Sequence, residues 1–393
     1  MKWLSAVSRR AGFEACLDEV SELLRLGEGD SPHLLVLFAT PDLIGHYDAL
    51  RQKLANLCPK ALICGCSGSG VIGDGEEVEG SSALSMTAAW LPGVELRTFH
   101  VESSQLPDLD APPQAWQERL LGDGEGLRGM LLFAEPFSLP GDDFLSGLDY
   151  AYPGVAKVGG LSSGGQTAGS APLFGPAGLH RSGVLGVGLF GDIRMDSVVA
   201  QGCRPIGRTM VVTDCSYNEV ATLDGQLAGN VVISTLKALP PRDQRLASHM
   251  LFLGFGAGGP KFSYGPGDFL IRQVLGVQPE EHALVVNARP RVGQTVQLHV
   301  RDGQSSSEDL EARLEELSQS CGDLEKVRGA LLFSCVGRGR SLYGHPHHDS
   351  ELFGARVGEV PLGGVFANGE LGPVGGTTSL HSFTSCFAVF SEP

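Results

Sequence analysis

The last sixty or so residues of this 393-residue chain hold its densest group of side chains able to bind or react. Arg338 lies between two glycines, and arginine grips a carboxylate through two parallel hydrogen bonds. Asn368 and Glu370 are candidates to receive an amino group. Gly337, Gly339 and Gly369 would let the backbone approach a ligand closely. These residue types favour a small polar ligand over a metal ion or a nucleotide.

Two of these residues have a second interpretation. Cys335 is a candidate nucleophile, with His345 or His381 as its base. A free cysteine at the end of an apolar strand is also commonly a small core or ligand-lining residue. Arg338 is alternatively one half of a structural ion pair with a nearby carboxylate.

A histidine-rich turn follows Gly344 and reads His345-Pro346-His347-His348-Asp349. Its side chains are of the metal-ligating type, but a turn that contains a proline is more commonly a solvent-exposed loop. The glycine-rich turns at 65–70 and 159–165 lack the lysine or the spacing of phosphate-binding loops. Cys64 and Cys66 have no second cysteine pair in register, so they do not predict a zinc site.

Two further polar groups lie in the middle of the chain. Gln297, His299 and Arg301 alternate with Val296, Leu298 and Val300, which predicts a strand with one polar face that lines a pocket or meets solvent. Arg204 stands in the motif Gly-Cys-Arg-Pro-Ile-Gly at 202–207, which we expect to place it at a junction of domains.

The elements that must position these residues repeat three times. Each copy predicts a strand, a helix and a second strand that ends in a glycine-rich turn. The copies begin at Leu34–Phe38, Met130–Phe133 and Ala330–Phe333, and their turns begin at Gly65, Gly160 and Gly364. The interval from Phe to Gly is equal in the first two copies and four residues longer in the third. A repeat of this length indicates duplicated supersecondary units.

The fold class that follows is α/β, with mixed sheets built from the repeated strand-helix-strand units. The length favours two domains, which we predict at 1–215 and 216–393 because the composition shifts after Cys215. In the second half the sequence predicts a strand at 250–255, a helix at 269–275 and strands at 283–287 and 295–301. A helix should follow, capped by Ser306 or Ser307, with the apolar stripe Leu310, Leu314, Leu317 and Cys321.

Charge and hydropathy limit the kinds of binding partner that the sequence predicts. The 29 basic and 45 acidic residues give a net charge of −16, and basic clusters able to neutralise phosphates are absent from the sequence, so nucleic acid is not expected as a partner. The sequence also predicts neither a membrane-spanning stretch nor a signal peptide. Nine scattered cysteines fit a reducing compartment. We therefore expect a cytoplasmic protein with no membrane partner.

The motifs of both halves resemble those of the F-box and intracellular signal transduction (FIST) family. The second half carries Phe333-Ser334-Cys335-x-Gly337-Arg338-Gly339, Pro361-Leu362-x-Gly364 and Asn368-Gly369-Glu370-x-Gly372-Pro373. The first half carries Gly65-Cys66-Ser67, Gly73-Asp74-Gly75, Gly159-Gly160-x-Ser162 and the 202–207 motif. Phe269–Arg272 and the stretch from Gln297 to Asp302 extend the resemblance to nearly the whole chain.

The resemblance implies a sensory module that binds a small ligand, with amino acids proposed, and that acts through a separate signalling protein. The residues that we predict for the ligand site are Cys335, Gly337, Arg338, Gly339, Asn368 and Glu370, with Arg204, His299, Arg301 and His381 as further candidates. The resemblance also implies an alternative, a haem-based nitric-oxide sensor, whose axial ligand would be His299, His345, His347, His348 or His381. A Cys335-dependent enzyme is the remaining alternative. The leading hypothesis needs no cofactor and is more consistent with a binding protein than with an enzyme.

Overall fold

Short strands and helices alternate along the chain in a computed structural model that describes residues 1–139, 141–259, 261–265 and 267–393. The first thirteen strands are β1 Lys2–Ser8, β2 Leu34–Ala39, β3 Leu62–Ser67, β4 Gly70–Gly73, β5 Glu76–Glu79, β6 Leu84–Trp90, β7 Val94–Val101, β8 Leu127–Ala134, β9 Ala156–Leu161, β10 Leu173–Gly175, β11 Gly178–His180, β12 Val184–Gly191 and β13 Arg194–Ala200. The strands after them are β14 Cys203–Ser216, β15 Glu219–Leu223, β16 Gln226–Leu227, β17 Phe252–Gly256, β18 Phe269–Val277, β19 Leu284–Val286, β20 Thr295–Arg301, β21 Val327–Cys335, β22 Leu362–Ala367, β23 Glu370–Val374, β24 Thr377–His381 and β25 Ser385–Ser391.

The helices are amphipathic and mostly short. They are α1 Phe13–Leu23, α2 Tyr47–Leu57, α3 Pro113–Arg119, α4 Gly141–Ala151, α5 Ala228–Lys237, α6 Pro241–His249, α7 Gly303–Cys321, α8 Gly339–Tyr343 and α9 His348–Val357. In α1, for example, Phe13, Leu17 and Val20 lie on one buried face, as their spacing predicts. In the described part of the chain, each helix is too short or too polar to cross a membrane.

The chain divides into two compact units. Unit 1 comprises Met1–Val199, Glu311–Pro373 and Thr378–Pro393, and unit 2 comprises Ala200–Leu310 and Val374–Thr377. All three strand-helix-strand repeats are in unit 1, so the compact units interleave along the sequence. This division is not a single boundary at residue 215. The domains at 1–215 and 216–393 stay a prediction.

In unit 1 each repeat forms the middle of a six-stranded sheet. The parallel pairs are β2 with β3, β8 with β9, and β21 with β22. An antiparallel strand flanks each pair, namely β6, β12 or β25. One face of each of the three sheets contributes to a shared apolar core. Sheets in such folds bury an apolar face by packing it against another layer.

The hairpin that follows each repeat joins the sheet of another repeat. The β4–β5 hairpin of the first repeat adds to β22 of the third, and the β23–β24 hairpin of the third adds to β9 of the second. The β10–β11 hairpin of the second repeat adds to β3 of the first. This cyclic exchange joins the three repeats through backbone hydrogen bonds within the sheets.

Equivalent phenylalanines from the three repeats meet in the shared core. The ring centroids of Phe38, Phe133 and Phe333 are 6.2, 6.1 and 6.0 Å apart, which makes a nearly equilateral triangle. All three side chains are 0% exposed. The repeated Leu-Leu-Phe pattern therefore marks the pseudo-threefold centre of unit 1, and aromatic packing of this kind stabilises it beyond simple burial.

The strand register identifies which glycines are equivalent. Gly65 pairs with Leu37, Gly159 with Leu132, and Gly364 with Leu332. The spacing in the sequence predicts Gly160 as the equivalent glycine of the second copy, which is one residue later than the register shows. A Cβ on any of these three glycines would overlap the carbonyl oxygen of its leucine partner, so close contact between the two parallel strands requires glycine there.

Unit 2 is a small antiparallel barrel. Its strands follow the order β14-β20-β17-β18-β19-β15, and a pairing of β14 with β15 closes the ring. Val296, Leu298 and Val300 of β20 point into its core, as their alternation predicts. The helix expected at 269–275 is wrong: these residues form β18, which pairs with β17 and β19. A short apolar run fits either structure locally, and the two neighbouring strands decide it.

Replacing Gly65, Gly159 or Gly364 by alanine should destabilise unit 1 by a similar amount at all three sites. The added methyl must push the paired strands apart, and overpacking of this kind costs about 3 kcal/mol at the upper end of its usual range. Thermal unfolding of the purified variants, followed by calorimetry, measures the loss. Gly354→Ala is the matched control, because a Cβ there in α9 meets nothing within 4 Å. Equal melting temperatures for Gly159→Ala and wild type would contradict the proposed equivalence.

Candidate functional site

The turns after β3, β9 and β22 come together at one end of unit 1. The Ser163 amide donates to the Ser67 carbonyl at 3.0 Å, and Ser67 Oγ donates to the Ser163 carbonyl at 2.8 Å. The Asn368 amide donates to the Leu161 carbonyl at 3.0 Å. We call the surface formed by Ser69, Gly164 and Asn368 the apex; all three residues are exposed. Each belongs to a different repeat, so the apex lies where the three pseudo-symmetric repeats meet.

One buried hydroxyl, that of Ser163, ties the three turns of the apex together. It is 1% exposed, accepts from the Ser69 amide at 2.8 Å and donates to the Phe366 carbonyl at 2.5 Å. These partners belong to the first and third repeats, whereas Ser163 belongs to the second. Sequence reasoning missed Ser69 and Ser163. The signal that could have found them is the serine two residues after the second strand in both of the first two repeats.

Arg338 lies inside the protein, 0% exposed. Its Nε donates to Asp349 Oδ2 at 2.8 Å and its Nη2 donates to Oδ1 at 3.0 Å. Nη2 also donates to the Tyr343 hydroxyl at 2.5 Å, and Nη1 donates to the Phe383 carbonyl at 3.3 Å. The two-pronged clamp thus holds a carboxylate of the protein itself. This geometry favours the ion-pair interpretation of Arg338 over direct ligand contact.

Asp349 is the centre of this buried polar cluster. It is 2% exposed and also accepts from Ser334 Oγ at 3.2 Å and from Ser385 Oγ at 2.5 Å. Burial alone would raise the pKa of Asp349, but the Arg338 guanidinium and the hydrogen bonds from His348, Arg338 and Ser385 hold it well below its usual range. The carboxylate therefore stays ionised at neutral pH.

A second buried carboxylate, Glu77, reaches the cluster from the exchanged β4–β5 hairpin. Glu77 is 3% exposed, and its Oε1 accepts from both the amide and the hydroxyl of Ser350 at 2.9 Å. Burial, followed by the nearby charge of Asp349, raises the pKa of Glu77 to about 7. Glu79 of the same strand accepts from the Arg340 amide at 3.0 Å. Both acids therefore bind backbone or side-chain donors in the first turns of α8 and α9, where negative charge is favourable.

Cys335 ends β21 and shapes the turn that follows. Its thiol is nearly buried, at 6% exposure, and its Sγ accepts from the Gly337 amide at 3.5 Å. At the equivalent position of the second repeat, Glu135 accepts from the Phe137 amide at 3.1 Å, also two residues ahead. The comparison gives Cys335 a turn-forming role; its reactivity stays a prediction.

The glycines of this turn are close to neighbouring chain. Gly339 has φ +55°, and a Cβ there would collide with the Glu79 carboxylate. A Cβ at Gly337 would meet the Phe383 ring at 3.2 Å. Both glycines therefore serve packing of the turn, whereas the neighbouring Val336 is 41% exposed.

Glu370 and His381 lie behind the apex and are at most 1% exposed. Glu370 Oε2 accepts from the Thr384 amide at 3.0 Å, and His381 Nε2 lies 3.0 Å from the Gly372 carbonyl. These contacts join β23 to the chain that enters β25. Of Asn368, Glu370 and His381, only Asn368 therefore lies on the exposed apex. Glu370 is buried in the sheet beneath it.

Three candidates belong to unit 2. Arg204 makes a two-pronged ion pair with Asp243, and it lies on β14 opposite β20, which carries His299 and Arg301. His299 is 3% exposed with Nδ1 3.0 Å from the Gln297 carbonyl, and burial lowers its pKa to about 4. Arg301 is half-buried. His299 thus belongs to the packed interior and not to an exposed polar face.

The histidines proposed as haem ligands have other contacts. His347 Nδ1 accepts from the Glu77 amide at 2.8 Å, and His348 stacks on Tyr343 with ring centroids 3.5 Å apart. His299 and His381 are buried, and His345 lies in an exposed turn. Among the described residues, groups of three or more His, Cys, Asp or Glu placed to hold a metal are absent. Haem binding stays a prediction, and these positions do not favour it.

Comparisons with known proteins give matches over nearly the whole chain. A family model described as the FIST N domain matches residues 33–226, and one described as the FIST C domain matches residues 232–373. The uncharacterized protein Rv0628c of Mycobacterium tuberculosis is 34% identical over 386 residues, which cover 98% of this chain and 97% of that protein. The F-box/LRR-repeat protein At5g63520 of Arabidopsis thaliana is 33% identical over 97 residues, 24% of this chain and 18% of that protein.

Among solved structures, cyanuric acid hydrolase is similar over 100% of both chains, with a TM-score of 0.33 and 8% sequence identity. A similarity this weak carries no argument about the fold or the activity of this chain.

Replacing Arg338 by methionine should strongly destabilise unit 1, because it leaves the Asp349 carboxylate buried without its cation. Breaking a buried pair in this way costs about 3–5 kcal/mol. Calorimetric unfolding of wild type, Arg338→Met and the exposed neighbour variant Arg340→Met measures the difference. The double variant Arg338→Met/Asp349→Leu should recover part of the loss, since it removes both charges. If Arg338→Met unfolds at the same temperature as Arg340→Met, the ion pair does not have the structural role given to it here.

Glu77→Gln should raise the melting temperature at pH 8 and change it little at pH 5. The folded-state pKa of Glu77, about 7, is above the ordinary value of 4.5, so its contribution to stability is complete below pH 4.5 and is lost as the pH rises through 7. The full loss corresponds to about 3 kcal/mol. Glutamine keeps the oxygen that accepts from Ser350 and does not ionise.

Melting temperatures measured at several pH values between these limits test this prediction. Glu76→Gln, an exposed side chain on the same strand, is the control for losing one negative charge. Parallel pH profiles for wild type and Glu77→Gln would show that Glu77 does not titrate in this range.

Proposed function

The chain belongs to the FIST family, and from this membership we propose that it senses a small polar ligand and transmits the bound state to a separate protein. FIST domains are signal-transduction domains. The ligand class that we propose is an amino acid or a similar small polar molecule. The observation that carries the proposal is the apex, where three strand-end turns from three repeats meet.

The position of the apex supports ligand binding. In sheets with parallel strands, ligands bind beyond the carboxyl ends of the strands, and here three such ends converge. The exposed hydroxyl of Ser69 and the side-chain amide of Asn368 are each able to donate and accept hydrogen bonds. Gly164 has φ +86° and exposes its backbone beside them. These groups suit a ligand with carboxylate or amide oxygens, bound mainly by neutral donors.

The buried cluster beneath the turn supplies rigidity to this site. Arg338 uses its guanidinium on Asp349, so we assign it to positioning the 335–339 turn and not to holding the ligand. Ser69 immediately precedes β4, and Glu77 lies on β5 of the same hairpin. Ligand contact at Ser69 therefore acts on the hairpin that reaches the first turns of α8 and α9.

The output is proposed to be a separate signalling protein. In the Arabidopsis relative, the similar segment is part of a protein named for an F-box and leucine-rich repeats. We propose that the present chain uses a surface of its own to contact the separate signalling protein, since the Glu77 side chain links the hairpin that begins at the apex to α9. Two-state coupling of this kind needs only a difference in ligand affinity between the two states.

A panel of amino acids and small carboxylates tests the ligand class. We expect at least one member to raise the melting temperature in a concentration-dependent way, because a ligand that binds only the folded state stabilises it. Asn368→Ala and Ser69→Ala should remove that shift without lowering the melting temperature of the free protein. Asn230→Ala, an exposed asparagine on α5, is the matched control and should keep the full shift.

Native mass spectrometry of the same samples identifies a retained ligand by its added mass. A panel without a thermal shift, combined with a native mass equal to that of the bare chain, would reject small-ligand sensing. A shift that survives both apex substitutions would place the site elsewhere.

A further inference from the structure

Unit 2 differs from unit 1 in charge. The barrel contains ten Lys and Arg and ten Asp and Glu, so its net charge is zero. Of the 29 basic and 45 acidic residues in the chain, 19 and 35 remain for unit 1, which therefore carries the entire net charge of −16. Contact between two copies through unit 1 would meet electrostatic repulsion, whereas contact through unit 2 would not.

Unit 2 also exposes more apolar side chains. Eight of the thirteen large apolar side chains that are exposed in the described part of the chain belong to it, although it has fewer than a third of the residues. Single exposed apolar residues are ordinary, but a contiguous group of them marks an interaction surface. The question is therefore whether some of these eight lie together.

Four of them belong to two segments that pack against each other, and we call them the barrel patch: Leu227, Ile233, Leu275 and Val277. Their exposures are 45%, 44%, 56% and 41%. A Cβ on Gly229 would lie 2.9 Å from Val277 Cγ1, so the start of α5 packs beside the end of β18. Leu227 immediately precedes α5, and Ile233 lies one turn after Gly229 on the same helix face. Leu275 and Val277 are two residues apart at the end of β18.

Charged residues of opposite sign flank the barrel patch. Lys237 is exposed at the carboxyl end of α5, one turn after Ile233. Glu280 and Glu281 are exposed in the turn after β18, and the next residue, His282, accepts from the Gly229 amide at 2.7 Å. The acidic turn is therefore at the amino end of α5 and the lysine is at its carboxyl end. A patch with opposite charges at its two ends is complementary to a copy of itself turned by 180°.

We infer that the barrel patch pairs with the same patch of a second copy, which gives a two-fold symmetric dimer. In such an isologous contact, residue i of one copy meets residue j of the other and the reverse. Leu275 and Ile233 form the apolar centre, and Lys237 of each copy meets Glu280 and Glu281 of the other. This arrangement matches the general pattern of an apolar interface core with a charged rim. It does not depend on the ligand proposed above.

Sedimentation velocity of the full chain between roughly 1 and 100 μM measures the monomer–dimer equilibrium, a range that detects micromolar dissociation constants. Leu275→Glu and Ile233→Glu should each raise the dissociation constant by about tenfold or more, the effect of losing roughly 1.4 kcal/mol. Leu109→Glu, at an equally exposed leucine of unit 1, is the matched control and should leave the dimer intact. Circular dichroism confirms that each variant is folded.

A charge exchange tests the orientation of the two copies. Lys237→Glu should weaken the dimer through repulsion by Glu280 and Glu281, and Lys237→Glu/Glu280→Lys/Glu281→Lys should restore it. A wild-type chain that is monomeric throughout the range overturns the inference, even if the patch binds a different protein. A dimer that Leu275→Glu and Ile233→Glu leave unchanged also overturns it, and failure of the charge exchange to restore a weakened dimer overturns the proposed two-fold orientation.

Discussion

The exchange of hairpins among the three repeats is the constraint on which the rest of unit 1 depends. Each sheet takes its last two strands from another repeat, so the backbone hydrogen bonds of any one sheet are incomplete until two repeats have folded together. An isolated repeat would leave a strand edge open, and an open edge invites incorrect pairing. The exchange closes that edge in each of the three sheets. It also makes the contacts of unit 1 long-range in sequence, which favours slow and cooperative folding.

The exchange also explains why the apex and the buried acidic cluster are connected. The β4–β5 hairpin begins next to Ser69 at the apex and carries Glu77 and Glu79 to α8 and α9 of the third repeat. The turn of the first repeat and the two helices of the third are therefore linked through the side chains of Glu77 and Glu79. Without the exchange, this hairpin would not reach those helices. The symmetry of the scaffold brings the three turns together, and the exchange connects the first of them to the third repeat.

The sequence predicted the parts of this structure that depend on local pattern. The strand that begins at Leu34, the helix with the stripe Leu310, Leu314 and Leu317, and the three repeats with their mixed sheets are all confirmed. It placed the turn at Cys335–Gly339 correctly at the end of a strand. The partner of Arg338 was beyond reach, because Asp349 lies in a histidine-rich stretch that resembled a surface turn, and only α9 brings it under the guanidinium. Glu77 is 272 residues away from Asp349, and no local pattern joins the two.

The buried pair of Arg338 and Asp349 is better understood as an orienting device than as a source of stability. Apolar residues of similar volume would often serve stability equally well, because two charges must lose their water to be buried. What the pair adds is direction: the guanidinium reaches Tyr343 in α8, Asp349 in α9 and the carbonyl of Phe383 before β25. These three elements are thereby held to one planar group. Since a planar group of five fixed donors tolerates little rearrangement, we expect the signal proposed to start at the apex to move the neighbouring hairpin and not the turn that Arg338 anchors.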